Sequence, residues 1–177
     1  MSPASALSAH YKYMKTVREK PHRLKRSRYQ GSVRVAFTFC LEESAQLFLR
    51  ADTVHLFVGY LKRASEEAQV HSIYCFMPEH VHTISIGQSE NSDALHWIES
   101  FKHMTGWWLK THRPGIRWQK GYWDRITRSI HEEAHCAWYL VNNPVRRGLV
   151  ETWDDYPFTG SIGFDLKEYW NDLLPLT

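Results

Sequence analysis

The 177-residue chain is 43% hydrophobic and 14% aromatic, which supports one well-filled core and leaves little room for two. No apolar run approaches the about eighteen residues of a membrane span and no apolar segment follows the early charges, so a membrane partner is not expected and the reading is cytoplasmic. Cys40, Cys75 and Cys136 are odd in number and widely spaced, which excludes a disulfide framework or zinc knuckle and leaves buried, reduced thiols.

The net charge of +3 hides an asymmetry. Lys12, Lys15, Arg18, Lys20, Arg23, Lys25, Arg26 and Arg28 face only Glu19, so this stretch carries +7 and the rest of the chain −4. Residues 1–28 therefore read as a basic arm and 29–177 as one domain. Tyr11, Tyr13 and Tyr29 interleave with the charges, a composition in which phosphates pair with Lys and Arg while bases stack. The alternative is a solvated terminus without a partner.

Residues 32–40 are β-branched and aromatic without a breaker and predict a first strand. Asp52 is expected to cap a helix whose Val54, Phe57, Val58 and Leu61 share one face and which ends near Glu67. Residues 71–77 and 80–86 predict a hairpin about Pro78 and Glu79. On its second strand His80, His82, Ile84 and Ile86 alternate with Val81, Thr83 and Ser85, so both imidazoles point the same way, close enough to share one ion. This is half a metal site. Imidazole suits Zn, Mn or Co, yet oxygen donors and phosphate would let the site hold Mg or Mn.

Asn91 or Ser92 is expected to open a second helix, with Leu95, Ile98, Phe101 and Trp108 recurring until Gly106 and Pro114 weaken and stop it. Lys102, Trp107, Lys110 and Arg113 on it could flank a nucleic-acid groove. Residues 116–128 read as a turn-broken segment ending in a short strand, 125–128. The order β, α, β, β, α, β predicts an α+β, ferredoxin-like sandwich with an antiparallel sheet. A last helix begins at a capping box, Ser129 with Glu132. Ala134, Ala137, Leu140 and Val141 form its apolar face, while His135, Tyr139 and Asn143 recur along another. Asn143 precedes Pro144 and marks the helix end, and the Tyr139 phenol lies one turn from an amide oxygen that could complete the His80 and His82 site.

Met77-Pro78-Glu79-His80-Val81-His82, Trp118-Gln119 to Asp124, the run Tyr139-Leu140-Val141-Asn142-Asn143-Pro144-Val145-Arg146-Arg147-Gly148-Leu149-Val150, and Tyr156-Pro157 resemble the single-tyrosine HUH transposases, in particular their REP-associated branch. The resemblance spans roughly residues 30 to 160, and Glu79 departs from the more frequent Asn there. It implies that His80, His82 and Asn143 ligate Mg2+ or Mn2+ and that Tyr139 is the nucleophile. It further implies a metal-dependent endonuclease and strand transferase acting on single-stranded DNA at hairpin-forming, palindromic repeats. Tyr139 would become a 5′-phosphotyrosine with release of a 3′-hydroxyl. A tyrosine of ordinary pKa near 10 is protonated at neutral pH, so the metal or a base must assist; His135 is a candidate helper. A monomer is favoured over a homodimer.

Two other readings stand beside this one. His131-Glu132-Glu133-Ala134-His135 matches the His-Glu-x-x-His of zinc metalloproteases, although Glu132 already serves the capping box and no downstream ligand stands out. A domesticated protein could also bind structured nucleic acid without cutting it.

Overall fold

The computed structural model describes residues 24–173. In chain order it contains β1 (Arg34–Cys40), α1 (Ala51–Ala68), β2 (Val70–Met77), β3 (His80–Gly87), α2 (Ala94–His112), β4 (Trp123–Ile126), α3 (Ile130–Val141), a single helical turn (Asn143–Arg146), β5 (Thr159–Ile162) and α4 (Leu166–Leu173). The sheet is antiparallel throughout, in the order β4-β1-β3-β2-β5. Its first six elements are the expected βαββαβ arrangement, with β3 inserted between β1 and β2.

The two-residue period of the strands sends alternate side chains into two cores. Val35, Phe37 and Phe39 of β1 join Phe76 and Val81 against Phe57 and Leu61 of α1 and Trp97, Ile98 and Phe101 of α2. Trp97 is wholly buried, and its indole N–H donates to Ser65 Oγ at 3.0 Å, tying α2 to α1. On the other face Ala36, Ile73, Cys75, Met77, Ile84 and Ile86 meet Ala134, Ala137, Leu140 and Val141 of α3 and Trp170 of α4. Because His80 and His82 lie in register with Ile84 and Ile86, they face the α3 layer. Burial pushes the Cys40 and Cys75 thiols up to about 12, so both are unreactive core groups.

Several expected boundaries move, each for a local reason. Asp52 does not cap α1: Arg50 holds that position without a side-chain cap, and Asp52, inside the first turn, accepts from the Thr53 N–H at 2.7 Å and pairs with Arg50. The cap of α2 is Asp93, which accepts from the His96 N–H at 2.8 Å. Ser92 is engaged elsewhere, accepting from the Gln88 and Ser89 N–H groups and donating to the Gln69 carbonyl at 2.6 Å. Ser129 does cap α3, accepting from the Glu132 N–H at 3.2 Å, but the Glu132 carboxylate reaches back to the N–H of Arg128, one residue beyond the Ser129 N–H that would close the box.

β4 begins two residues earlier than expected, with Asp124 opposite Phe37. Buried Tyr29 donates its hydroxyl to Asp124 at 2.6 Å. The sequence pattern predicts neither β5 nor α4, since Gly160 and Ser161 weaken the strand signal. Gly160 is nevertheless required there, because a Cβ would collide with the Tyr74 ring that covers it across the β2–β5 pair. Among the described residues no helix is long and apolar enough to cross a membrane.

Candidate active site

β3, β1 and the β2–β3 turn assemble the first half of the site. His80 Nε2 and His82 Nε2 lie 3.0 Å apart, and both residues are buried. Each ring is held by its other nitrogen. His80 Nδ1 is 3.1 Å from Glu79 Oε1, and His82 Nδ1 is 2.8 Å from the hydroxyl of Thr38, its cross-strand partner on β1. Burial opposes ionisation of Glu79, but the His80 and Arg147 hydrogen bonds overcome it and bring its pKa down to about 2. An ionised Glu79 only accepts, so the neutral His80 ring keeps its proton on Nδ1 and presents the Nε2 lone pair. When the Thr38 hydroxyl accepts from His82, both Nε2 lone pairs face a common point. When it donates, His82 Nε2–H donates to His80 instead.

The residues present fit a divalent ion. Two nitrogens 3.0 Å apart match shared ligation at metal–nitrogen distances of about 2.1 Å and an angle of about 90°. The Glu79 and Thr38 contacts are the outer-shell hydrogen bonds that metal-bound histidines use. Among the described residues no group of three or more His, Cys, Asp or Glu side chains is placed to hold a metal, so further donors must be of another kind. By its chemistry the Asn143 amide, the donor expected from the sequence, is a candidate. Asn143 is 2% exposed and its Nδ2 donates to the Tyr139 carbonyl at 2.8 Å, which leaves Oδ1 as the acceptor end.

α3 supplies the second half. The Tyr139 ring stands edge-on to His82, with centroids 6.0 Å apart at 88°. Its hydroxyl oxygen is buried and makes no hydrogen bond with any described residue, an uncommon state for a phenol. The helix does not simply end before Pro144. Asn142 breaks it, and the turn Asn143–Arg146 follows with Pro144 in its first positions, where a missing N–H costs nothing. The end of that second turn, Arg146 and its C-cap Arg147, presents two cations to which the sequence pattern assigns no role. The Arg146 guanidinium lies 4.4 Å over the Tyr139 ring, and Arg147 donates to Glu79 Oε1 at 2.6 Å, linking this turn to the histidine hairpin. Their spacing after Tyr139 is visible in the sequence, but a helix stopping at Asn143 gives no reason to bring them to Tyr139 and Glu79.

The other predicted residues lie elsewhere. His131 and His135 are exposed on α3, and Glu132 is occupied by Arg128 and Arg125. Lys102 donates to the carbonyls of Gln119 and Gly121 at 3.0 and 2.6 Å, while Trp107, Lys110 and Arg113 are exposed. Of the basic arm, Lys12, Lys15, Arg18, Lys20 and Arg23 lie outside the described residues. Lys25 and Arg28 are exposed, and Arg26 is ion-paired with Asp93 and Glu99, both at 3.2 Å.

The antiparallel βαββαβ sheet carries paired histidines on its third strand, and the helix packed over that strand sets a tyrosine against them. A solved REP-associated tyrosine transposase bound to a REP hairpin has the same fold, with a TM-score of 0.61 at 21% identity over 80% of this chain and 82% of that one. An Escherichia coli REP-associated tyrosine transposase is 29% identical over 86 residues, 47% of this chain and 48% of that protein, so the match spans about half of its length. A Haemophilus influenzae protein assigned to the same group is 23% identical over 143 residues, 74% of this chain and 80% of its own. No protein-family model matches the chain. In sequence the chain is similar to REP-associated tyrosine transposases, and it shares the fold of a solved one.

Proposed function

We propose that this chain cleaves and rejoins single-stranded DNA at or beside hairpin-forming repeats, with Tyr139 as nucleophile. The observation that carries the reading is the Tyr139 hydroxyl, buried without a hydrogen bond to any described residue, on a ring packed against His82. His80, His82 and the Asn143 amide would hold the ion, and Mg2+ or Mn2+ there would polarise the scissile phosphate. Tyr139 Oη attacks phosphorus, the phenolic proton leaves, the P–O3′ bond breaks and the departing 3′ oxygen takes up a proton. A 5′-phosphotyrosine remains, and attack by another 3′-hydroxyl reverses the step without ATP. Arg146, stacked on the nucleophile's ring, adds positive charge where the phosphate must sit. Thr38 and Glu79 fix the rings.

Tyr139→Phe removes one oxygen and keeps the packed ring. With end-labelled hairpin DNA and Mn2+, wild type is expected to give a denaturant-resistant labelled band and Tyr139→Phe none, at unchanged DNA affinity. An adduct on Tyr139→Phe refutes the nucleophile. No wild-type adduct on any hairpin from the gene's own flanks, with binding intact, supports the non-cutting binder instead.

A further inference from the structure

A cleft of about 730 Å3 lies between the second half of α2 and the loop 114–121, on the face of the sheet opposite the histidines. Lys102, Lys110, Arg117 and Lys120 line it, and no acidic residue does. Lys102 shapes the wall, since its two hydrogen bonds to loop carbonyls hold the loop against α2. Lys110, Arg117 and Lys120 are exposed and make no ion pair with any described residue. Three uncompensated cations around one concavity form an anion site.

Two further features point to a polynucleotide. Trp107, 63% exposed, stands one helical turn before Lys110 and so shares its face, offering an indole beside the charges for a base to stack on. Trp118 makes the cleft floor rigid, its indole N–H donating to Thr105 at 2.9 Å and its ring packed edge-on to Phe39. The loop is also continuous with the candidate active site. Gln119 N–H donates to the Cys40 carbonyl, Glu42 N–H to the Arg117 carbonyl and Leu41 N–H to the Glu79 carbonyl, while Cys40 pairs with His80 across the sheet. Cleft and histidines thus occupy the same end of the sheet on opposite faces, so a strand leaving one can reach the other around that end.

We propose that this cleft is a second nucleic-acid site, taking the single-stranded DNA that flanks the cleaved phosphate, with Lys110, Arg117 and Lys120 on successive phosphates and a base on Trp107. It rests on the strand-cleaving reading for its choice of ligand.

The test uses the full chain and fluorescein-labelled oligothymidylate of about 20 nucleotides, which forms no hairpin, read by anisotropy over a salt series. Lys110→Gln, Arg117→Gln and Lys120→Gln together are expected to weaken binding at least about tenfold near 0.1 M salt and to flatten the log–log salt slope by about 2, the value for three single-strand phosphates. Removing three exposed cations elsewhere, Lys62, Arg63 and Lys167, should change affinity less than about twofold. Photocrosslinking of an iodouracil-substituted strand to wild type should map to residues 102–121, a readout that needs no variant. Equal weakening by both triple variants, an unchanged slope, or crosslinks confined to other segments overturns the cleft. The Tyr139 adduct separates the two ideas: adduct without cleft dependence leaves the proposed function standing, and cleft-dependent binding without adduct leaves only the cleft.

Discussion

Thr38 shows how a single side chain can tune the candidate site without touching substrate. Its hydroxyl, buried on β1, is 2.8 Å from His82 Nδ1 and, when it accepts from that nitrogen, leaves the Nε2 lone pair free for a ligand. Thr38→Val keeps the branched shape and removes the partner, so His82 Nε2 should be presented less often as a lone pair. Removing such an outer-shell hydrogen bond costs about 10–100-fold in metal affinity. Titration of Mn2+ into wild type and Thr38→Val, followed by electron paramagnetic resonance, should show that drop with a small change in thermal stability; equal affinities would mean the hydroxyl only fills space. The histidines themselves are legible in the sequence, because a strand's two-residue period puts His80 and His82 on one face. Thr38 is not, because its role depends on the register of β1 against β3, which residues 44 positions apart do not disclose. Arg146 and Arg147 are hidden by a rule that holds for most helices and fails at this one: Asn before Pro ends a helix, but here the break at Asn142 lets Pro144 start a new turn.

At the scale of elements, strands and helices with a strong apolar period are readable and their ends are not. Ser92 and Asp93 are both good caps, and choosing between them needs the loop from β3, whose N–H groups claim Ser92. Asp93 then does more than cap α2. It accepts from Gln30 and Arg26 as well as from the His96 N–H, so it fastens residues 26–30 to the start of that helix. Burial raises its pKa, but the hydrogen bonds from His96 and Gln30 and the charge of Arg26 outweigh it and the net shift is downward. A carboxylate whose folded pKa is depressed contributes stability that is complete above its ordinary value of about 3.9 and is lost as pH falls through the lower folded value. Asp93→Asn, still a capable cap, should therefore be less stable than wild type by about 1 kcal/mol at pH 7. The gap should close as pH falls below about 4. Urea unfolding at several pH values checks this, and a gap independent of pH would assign the loss to packing instead of charge.

On the scale of the whole molecule, the question is where the charged N-terminal stretch stops and the folded body starts. Composition places the change after Arg28, yet the turn Arg26–Tyr29 is built into the body: Tyr29 is 1% exposed and bonded to Asp124 on β4, and Arg26 is paired with Asp93 and Glu99 of the α2 region. Periodicity cannot reveal this, since one aromatic in a basic run reads as well for stacking on bases as for filling a core. The two roles separate under truncation. Removing residues 1–23 deletes Lys12, Lys15, Arg18, Lys20 and Arg23 with Glu19 and leaves every described interaction in place. The salt dependence of single-strand binding should then flatten by about 0.7 for each phosphate that the arm no longer neutralises. Removing residues 1–29 also takes out a buried aromatic and its hydrogen bond, a loss on the order of 3 kcal/mol or more, and should lower the melting temperature by many degrees. Calorimetry on the two truncations, beside a salt titration on the shorter one, distinguishes the outcomes. Equal melting temperatures would return Tyr29 to the arm, and an unchanged salt slope after loss of residues 1–23 would move the DNA-binding charges onto the folded body, where the cleft beside Lys110, Arg117 and Lys120 is the place to look.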